Sequence, residues 1–408
     1  MPGNSARRLE VTLAVALCGC SMAFGACAAP ETEAPRDPPR ELPMATWSGV
    51  YKADLLGVKG PRLSSAVGNL NLRVDFDGAA LLGWDDATAL HAELLWNHGG
   101  KPNRRVATAQ GISNLEVAQH SARVYASWIE HTFKTPGTQV LVGLYDLNSE
   151  FYATDASTLL IHPSFGIGID FSQSGRNGPS IFPNLGLALR VRQPLGAAYY
   201  LQTAVIDGVP GDPRAPGRTV IHLNRADGAL VATEFGWQER GADGPKAGHW
   251  GVGAWFYSQR AERIDGGAPE HNHGVYALAQ AQWLDTDAGR ITGFVRAGAA
   301  NRRVNAIDLA LDAGVLLERP VGRGGPSAIT AGVAIARFGR AQRDAQAALG
   351  VTGAATETAL EIGARWTPAP LLAAQPLLQR VWHPGGRRDT AATIAGVRLE
   401  WSWGASPP

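Results

Sequence analysis

Apolar and polar residues alternate with a period of two along most of this chain. In "GNLNLRVDFDG", Leu70, Leu72, Val74 and Phe76 share one face, against Asn69, Asn71, Arg73 and Asp75. In "NLGLALRVRQP", Leu185, Leu187, Leu189 and Val191 oppose Asn184, Arg190 and Arg192. "VYALAQAQWL" sets Val275, Ala277, Ala279, Ala281 and Trp283 against Tyr276, Gln280 and Gln282, and "TALEIGARW" sets Leu360, Ile362, Ala364 and Trp366 against Glu361 and Arg365. The last such stretch, "IAGVRLEWSW", puts Val397, Leu399, Trp401 and Trp403 opposite Arg398, Glu400 and Ser402. Similar segments begin near residues 88, 122, 138, 165, 199, 230, 249, 290, 307, 328 and 376, separated by Gly, Pro, Asn and Asp clusters. Strict alternation predicts half-buried β-strands, and the clusters predict turns. From about residue 66 to the end this makes about sixteen strands.

A soluble β-sandwich also alternates, but three features point elsewhere. The strands are too many for one sandwich. The apolar face is thin, often Ala, Leu or Val, with Trp237, Trp250, Trp283, Trp366 and Trp403 at strand ends. The opposite face carries charges on strand after strand. An outer-membrane barrel explains all three, with its outward apolar band, aromatic girdles and polar interior. Closing the ring also pairs every backbone group, as the bilayer requires. The expected fold is therefore all-β, a transmembrane antiparallel β-barrel with the apolar face toward lipid.

The 408-residue length would suggest two or three domains in a soluble protein. A barrel absorbs it by adding strands to a ring. The formal net charge of +1 calls for no nucleic-acid partner. Arg7 and Arg8, the apolar "VTLAVALCGCSMAFGA" and Ala26-Cys27-Ala28 form an export signal, with cleavage expected after residue 28. Lipoprotein-type cleavage before Cys20 or Cys27 is an alternative. Cys18, Cys20 and Cys27 are the only cysteines, so the mature chain has neither a disulfide nor a thiolate metal site. Residues 29–45 are rich in Pro and charge and are expected to form a mobile leader. Residues 46–408 would form the barrel. No later run of apolar residues is long enough for a transmembrane helix.

On the inner face, Arg73, Arg190, Arg192, Arg296, Arg365 and Arg398 stand against Asp75, Glu93, Glu234, Glu361 and Glu400. A ring of this size leaves an aqueous channel. Mixed signs let carboxylates brace guanidinium groups along a wet wall, which suits polyols whose hydroxyls both donate and accept. A strongly ion-selective pore would show an excess of one sign. Arg73, Glu93, Arg190, Arg192, Arg296 and Arg365 are the candidate substrate contacts in the lumen. Trp255 and Tyr257 share the inward parity and are expected to pack beneath an inserted loop.

Catalysis finds no motif: G-x-S-x-G, H-E-x-x-H and the P-loop are all missing. His271-Asn272-His273 has chelating spacing but no third ligand nearby, and reads as a solvated tip between strands. "DTDAG" (285–289) opens like a calcium loop, lacks the later Gly and Glu, and reads as a hairpin turn. No enzyme activity, metal or cofactor is expected. A general diffusion pore and, more distantly, a barrel enzyme are the rival readings.

Several stretches then resemble the carbohydrate-selective porins of Gram-negative outer membranes, the OprB family. "VGLYDLNSEFYATDASTLLIHPSFGIG" (142–168) is similar to a signature of that family. "WSGVYKADLLGVKG" and "GNLNLRVDFDG" are similar to the start of its barrel, and "GISNLEVAQHSARVYASWIEHTF" to its third-strand region. "AAYYLQTAVIDGVPGDP" resembles its Asp-Gly-x-Pro-Gly-x-Pro turn, and "QPLLQRVWHPGGRRDTAATIAGVRLEW" its closing hairpin. The resemblance implies a passive sixteen-stranded pore for small sugars, narrowed by loops folded inward, with 148–166 in a loop region. Partners would be small sugars or polyols as permeants, outer-membrane lipid and the barrel-assembly machinery. Monomer and homo-oligomer both stay open. The chain departs from the pattern in placing "GASPP" after Trp403, where outer-membrane barrels commonly end on an aromatic residue. The connection over 339–357 is also unusual.

Overall fold

The computed structural model describes residues 45–58, 64–78, 81, 83, 87–239, 248–319 and 325–404. The expected export signal and nearly all of the leader, with the three cysteines, lie outside the described residues. The first eight strands are β1 (Ala45–Val58), β2 (Ser65–Asp77), β3 (Thr88–Gly99), β4 (Ser121–Thr132), β5 (Gln139–Tyr145), β6 (Gly186–Leu195), β7 (Tyr199–Asp207) and β8 (Ala229–Gln238). The second eight are β9 (Gly248–Ala261), β10 (Glu270–Thr286), β11 (Gly289–Ala300), β12 (Ile307–Glu318), β13 (Ala328–Phe338), β14 (Thr356–Ala369), β15 (Leu372–Trp382) and β16 (Ala391–Gly404). Each pairs with its sequence neighbours, and β16 returns to β1, closing the barrel. The seam is antiparallel, with Asp54 opposite Arg398 and Tyr51 opposite Trp401.

Side-chain exposure follows the alternation. On β16, Trp401 is 60% exposed on the lipid face, whereas Arg398 is 5% exposed on the inner face. The connections sort by end. Those after even-numbered strands include the short turns 196–198, 287–288 and 370–371. Those after odd-numbered strands include 100–120, 146–185 and 208–228. Short turns belong to the periplasmic side and long loops to the outside. Trp237, Trp250, Trp283, Trp366 and Trp403 all fall at the short-turn end, as one girdle, while Trp96 and Trp382 stand at the other. "DTDAG" is the β10–β11 hairpin. The 339–357 connection holds a helix over Arg340–Ala348.

The pattern misplaces one strand. No strand forms near 165; a 3₁₀ turn (Pro163–Phe165) and a short helix (Ile169–Ser172) occupy that stretch. Phe165, Ile167, Ile169 and Phe171 are all buried, because the stretch lies against the inner wall and needs apolar residues whatever its backbone does. In its place the ring gains β1, which the alternation does not reveal. Its inward parity carries apolar Val50 and Leu56 among Lys52 and Asp54.

Candidate functional site in the lumen

Two connections fold back inside the ring. Val106 and Ile112 of segment 100–120 are buried with Leu56, Val381 and Ile394 of the seam side. Segment 146–185 covers the opposite wall. Leu147, Phe151, Tyr152 and Phe171 pack on inward residues of β6 to β10, and Leu160 and Phe165 pack on Phe294 and Leu316. The Phe171 ring stacks on Trp255 at 4.7 Å, and Ser174 Oγ lies 3.2 Å from the Tyr257 hydroxyl. Trp255 and Tyr257 thus pack beneath an inserted loop, as expected. The two segments also touch: the Asn114 N–H donates to Ile161 O at 2.9 Å, and Gln173 Nε2 donates to Ala109 O at 2.6 Å.

Buried charges of the wall hold both segments. Loop backbone that leaves water needs a partner for every N–H and C=O. Glu361 accepts from the N–H groups of Ile161 and His162 at 2.8 and 2.7 Å. Glu357 accepts from those of Ala109 and Gln110 at 2.8 and 2.9 Å. Glu234 accepts from the Tyr152 N–H at 3.0 Å and from the Tyr200 and Tyr276 hydroxyls. Arg296 works in the opposite sense: it donates to the carbonyls of Tyr152, Ser164 and Gly166 at 3.2, 2.7 and 2.7 Å. It is braced by Asp312 at 3.0 Å. At the seam, Arg398 holds Asp54 through Nε and Nη2 at 2.7 and 2.8 Å. Ser113 and Asn114 of the first segment join that pair at 2.6 Å each.

Inside the second segment, burial raises the Asp170 carboxyl to about 7, with the nearby Asp312 charge adding to the effect. Burial alone lowers His162 to about 3. Among the described residues, neither ring nitrogen of His162 nor Asp170 Oδ2 has a hydrogen-bond partner.

The remaining wall is wetter. The Arg73 side chain is 43% exposed and lies 3.3 Å from Glu93, which also accepts from Asn71. His91 Nδ1 meets Asp75 at 2.6 Å, and its ring stacks on Trp128 at 4.8 Å. Glu400 binds Arg365 at 2.7 Å and Lys52 at 3.8 Å. At the edge of the second segment, the buried Arg190 reaches Glu130 and Glu150 at 2.5 and 2.7 Å. Arg192 donates to Gln202 and Gln238 at 2.5 and 3.1 Å, with its guanidinium 4.0 Å above the Tyr200 ring.

All six candidates, Arg73, Glu93, Arg190, Arg192, Arg296 and Arg365, point inward, but they do not form one constellation. Arg296 is fully buried beneath the loop and Arg190 nearly so. Arg73, braced by the buried Glu93, and Arg192 and Arg365 face the wetter wall. The pattern did not single out Lys52, Asp54, Glu130, Glu150, Asp312 or Glu357. For Asp54 and Asp312 the signal was available, since a buried arginine on an inward position needs a carboxylate on the neighbouring strand. His271 and His273 are not at a loop tip. They open β10, with Nδ1 atoms near backbone carbonyls at 3.2 and 3.1 Å, and no metal-holding group of three appears among the described residues.

This geometry has solved counterparts. The chain matches the high-pH structure of Pseudomonas putida OprB with a TM-score of 0.71 and 16% identity, over 88% of this chain and 93% of that one. It matches the low-pH structure of the same protein with a TM-score of 0.53 and 15% identity, over 88% and 92%. No curated protein matches it by sequence. The family model described as "Carbohydrate-selective porin, OprB family" matches residues 64–403. The chain, a closed sixteen-stranded barrel narrowed by inserted loops, belongs to the OprB family of carbohydrate-selective porins.

Proposed function

We propose that the chain is a passive outer-membrane pore for small neutral sugars and related polyols. The observation that carries this reading is the balance of the charges on the inner wall. Arg73 is met by Glu93, Arg365 and Lys52 by Glu400, Arg190 by Glu130 and Glu150, and Arg192 by two amides. Five cations against four carboxylates leave little net field along the pore, so an ion of either sign gains little. The guanidinium and amide groups still offer directed hydrogen bonds to hydroxyls. Arg73, Arg192 and Arg365 are the groups we assign to solute contact; the buried Glu93, Arg190 and Arg296 orient their surroundings. The pore carries out no chemistry and needs no cofactor or metal. Residues 1–28 would serve as a cleaved export signal and 29–45 as a leader to the barrel of 46–408. The barrel-assembly machinery would insert the chain into outer-membrane lipid, as a monomer or homo-oligomer.

Liposome swelling tests the reading, comparing glucose, a disaccharide and an amino acid of similar size to glucose. Faster entry of glucose than of the amino acid is expected. Equal entry would reduce the function to general diffusion. No entry through inserted, folded protein would turn the argument toward a closed or enzymatic barrel.

A further inference from the structure

A second cavity, with a mixed polar and apolar lining, lies away from the charge pairs of the lumen wall. Its volume is about 390 Å³, within the range of small-ligand sites. It is bounded by the end of the inserted helix, the connections 208–228 and 301–306, the end of β9 and the start of β10. These all belong to the long-loop end, so the cavity stands at the outer mouth.

Beside the apolar Val209, Ala261 and Val304, its polar groups carry no net charge. Two arginines, Arg176 and Arg260, are matched by two acids, Asp227 and Glu262; Arg176 binds Asp227 at 3.1 Å. Asn272 and Asn305 exchange amide hydrogen bonds at 3.0 and 2.7 Å and present a neutral, satisfied surface. Gln259 is exposed, and its amide has no partner among the described residues. Gln173, whose Nε2 donates to Ala109 O, also lines the cavity. The close approach of the inserted loop to Tyr257 depends on Gly175. A Cβ there would lie 2.5 Å from the Tyr257 hydroxyl, and its φ of +70° disfavours other residues.

We propose that this cavity is an outer capture site for a neutral sugar of one or two rings, loaded before the solute enters the lumen. The proposal rests on the sugar-pore reading given above. Amides that both donate and accept, beside an arginine already neutralised, match vicinal hydroxyls. An anion would meet Asp227 and Glu262, and a cation would meet Arg176 and Arg260. A hydrophobic solute would leave these groups unpaired.

The test uses the full-length mature chain in planar bilayers, with glucose or maltose added to one side and current block recorded against concentration. Block should saturate, and at lower sugar concentration from the long-loop side than from the short-turn side. Gln259→Leu and Arg176→Ala, made separately, should each raise the half-saturating concentration about fivefold, the loss of one ordinary hydrogen bond. Non-saturating block by the wild-type chain from both sides would overturn the capture site while leaving the sugar pore standing. Unchanged half-saturation in both variants would overturn it too. Swelling of wild-type liposomes in glucose, measured on the same preparation, reports separately on the sugar-pore reading.

Discussion

The Glu361 carboxylate offers the most exposed point of the loop-clamping scheme to experiment. It is fully buried and accepts two backbone N–H groups from the inserted segment, at 2.8 and 2.7 Å. Gln379 Nε2 adds a third bond at 3.0 Å. Glu361→Ala removes the acceptor and leaves the N–H groups of Ile161 and His162 buried without partners. At about 1–3 kcal/mol for each unsatisfied buried donor, the loss is about 2–6 kcal/mol. The strands of the ring keep all their own pairings, so the cost should fall on seating of the loop. A loss of about 3 kcal/mol raises the open population of the segment about 150-fold. Hydrogen exchange on the detergent-purified barrel should then show the amides of Ile161 and His162 exchanging faster by about that factor, with strand amides unchanged. Single-channel conductance should rise as the segment leaves the lumen. Glu361→Gln, which keeps one acceptor oxygen, should lie between the two. Unchanged protection at Ile161 and His162 in Glu361→Ala would refute the idea that this carboxylate holds the loop.

Three further outcomes are expected. Arg296→Ala should cost about 3–5 kcal/mol by stranding Asp312 in the interior, and Arg296→Ala with Asp312→Ala should cost less than Arg296→Ala alone, as a denaturant double-mutant cycle would show. Asp170, faced by Asp312 and by Tyr152 (3.5 Å), binds its proton more tightly in the folded loop than at its ordinary 3.8, so loop seating weakens as pH rises from there through about 7. His162 has the opposite slope, since seating weakens as pH falls from its ordinary 6.5 toward about 3. Limited proteolysis against pH should show Asp170→Asn abolishing the loss on the alkaline side and His162→Leu the loss on the acid side; parallel profiles would contradict both. Leu189→Arg, on the lipid face of β6, should impair insertion by about 2–4 kcal/mol if it lies near the bilayer midplane, measured as heat-modifiable folding into vesicles.

The lipid-facing half of the fold was legible because the bilayer imposes one rule on every strand. Val397, Leu399 and Trp401 must alternate with Arg398 and Glu400 for the ring to exist. The inner half obeys no single rule. Where loop covers wall, apolar residues such as Leu56 appear on the inward face and erase the alternation that would mark β1. The loop meanwhile borrows a strand-like pattern at Phe165, Ile167, Ile169 and Phe171 for its own packing. Parity could therefore place Arg296 and Arg73 on the same face, but not tell that one lies fully buried against loop carbonyls while the other meets water. That difference is set by contacts between residues more than a hundred positions apart, such as Arg296 with Ser164, which no local pattern carries.

The clamps also bear on the order of assembly. The N–H groups of Ala109 and Gln110 wait for Glu357, and those of Ile161 and His162 wait for Glu361, across sequence separations of 248, 247, 200 and 199 residues. Asp54 waits still longer for Arg398, 344 residues later. Contacts of such high order form slowly and late, because their loop-closure entropy is met only when the strands between them are already in place. Both inserted segments thus depend in part on the last strands made, the first through Glu357 and Arg398 and the second through Glu361. A nascent barrel lacking β14 to β16 keeps the Glu234 and Arg296 clamps on the second segment but lacks those of Glu357, Glu361 and Arg398, so the passage narrows to its working width only as the seam closes.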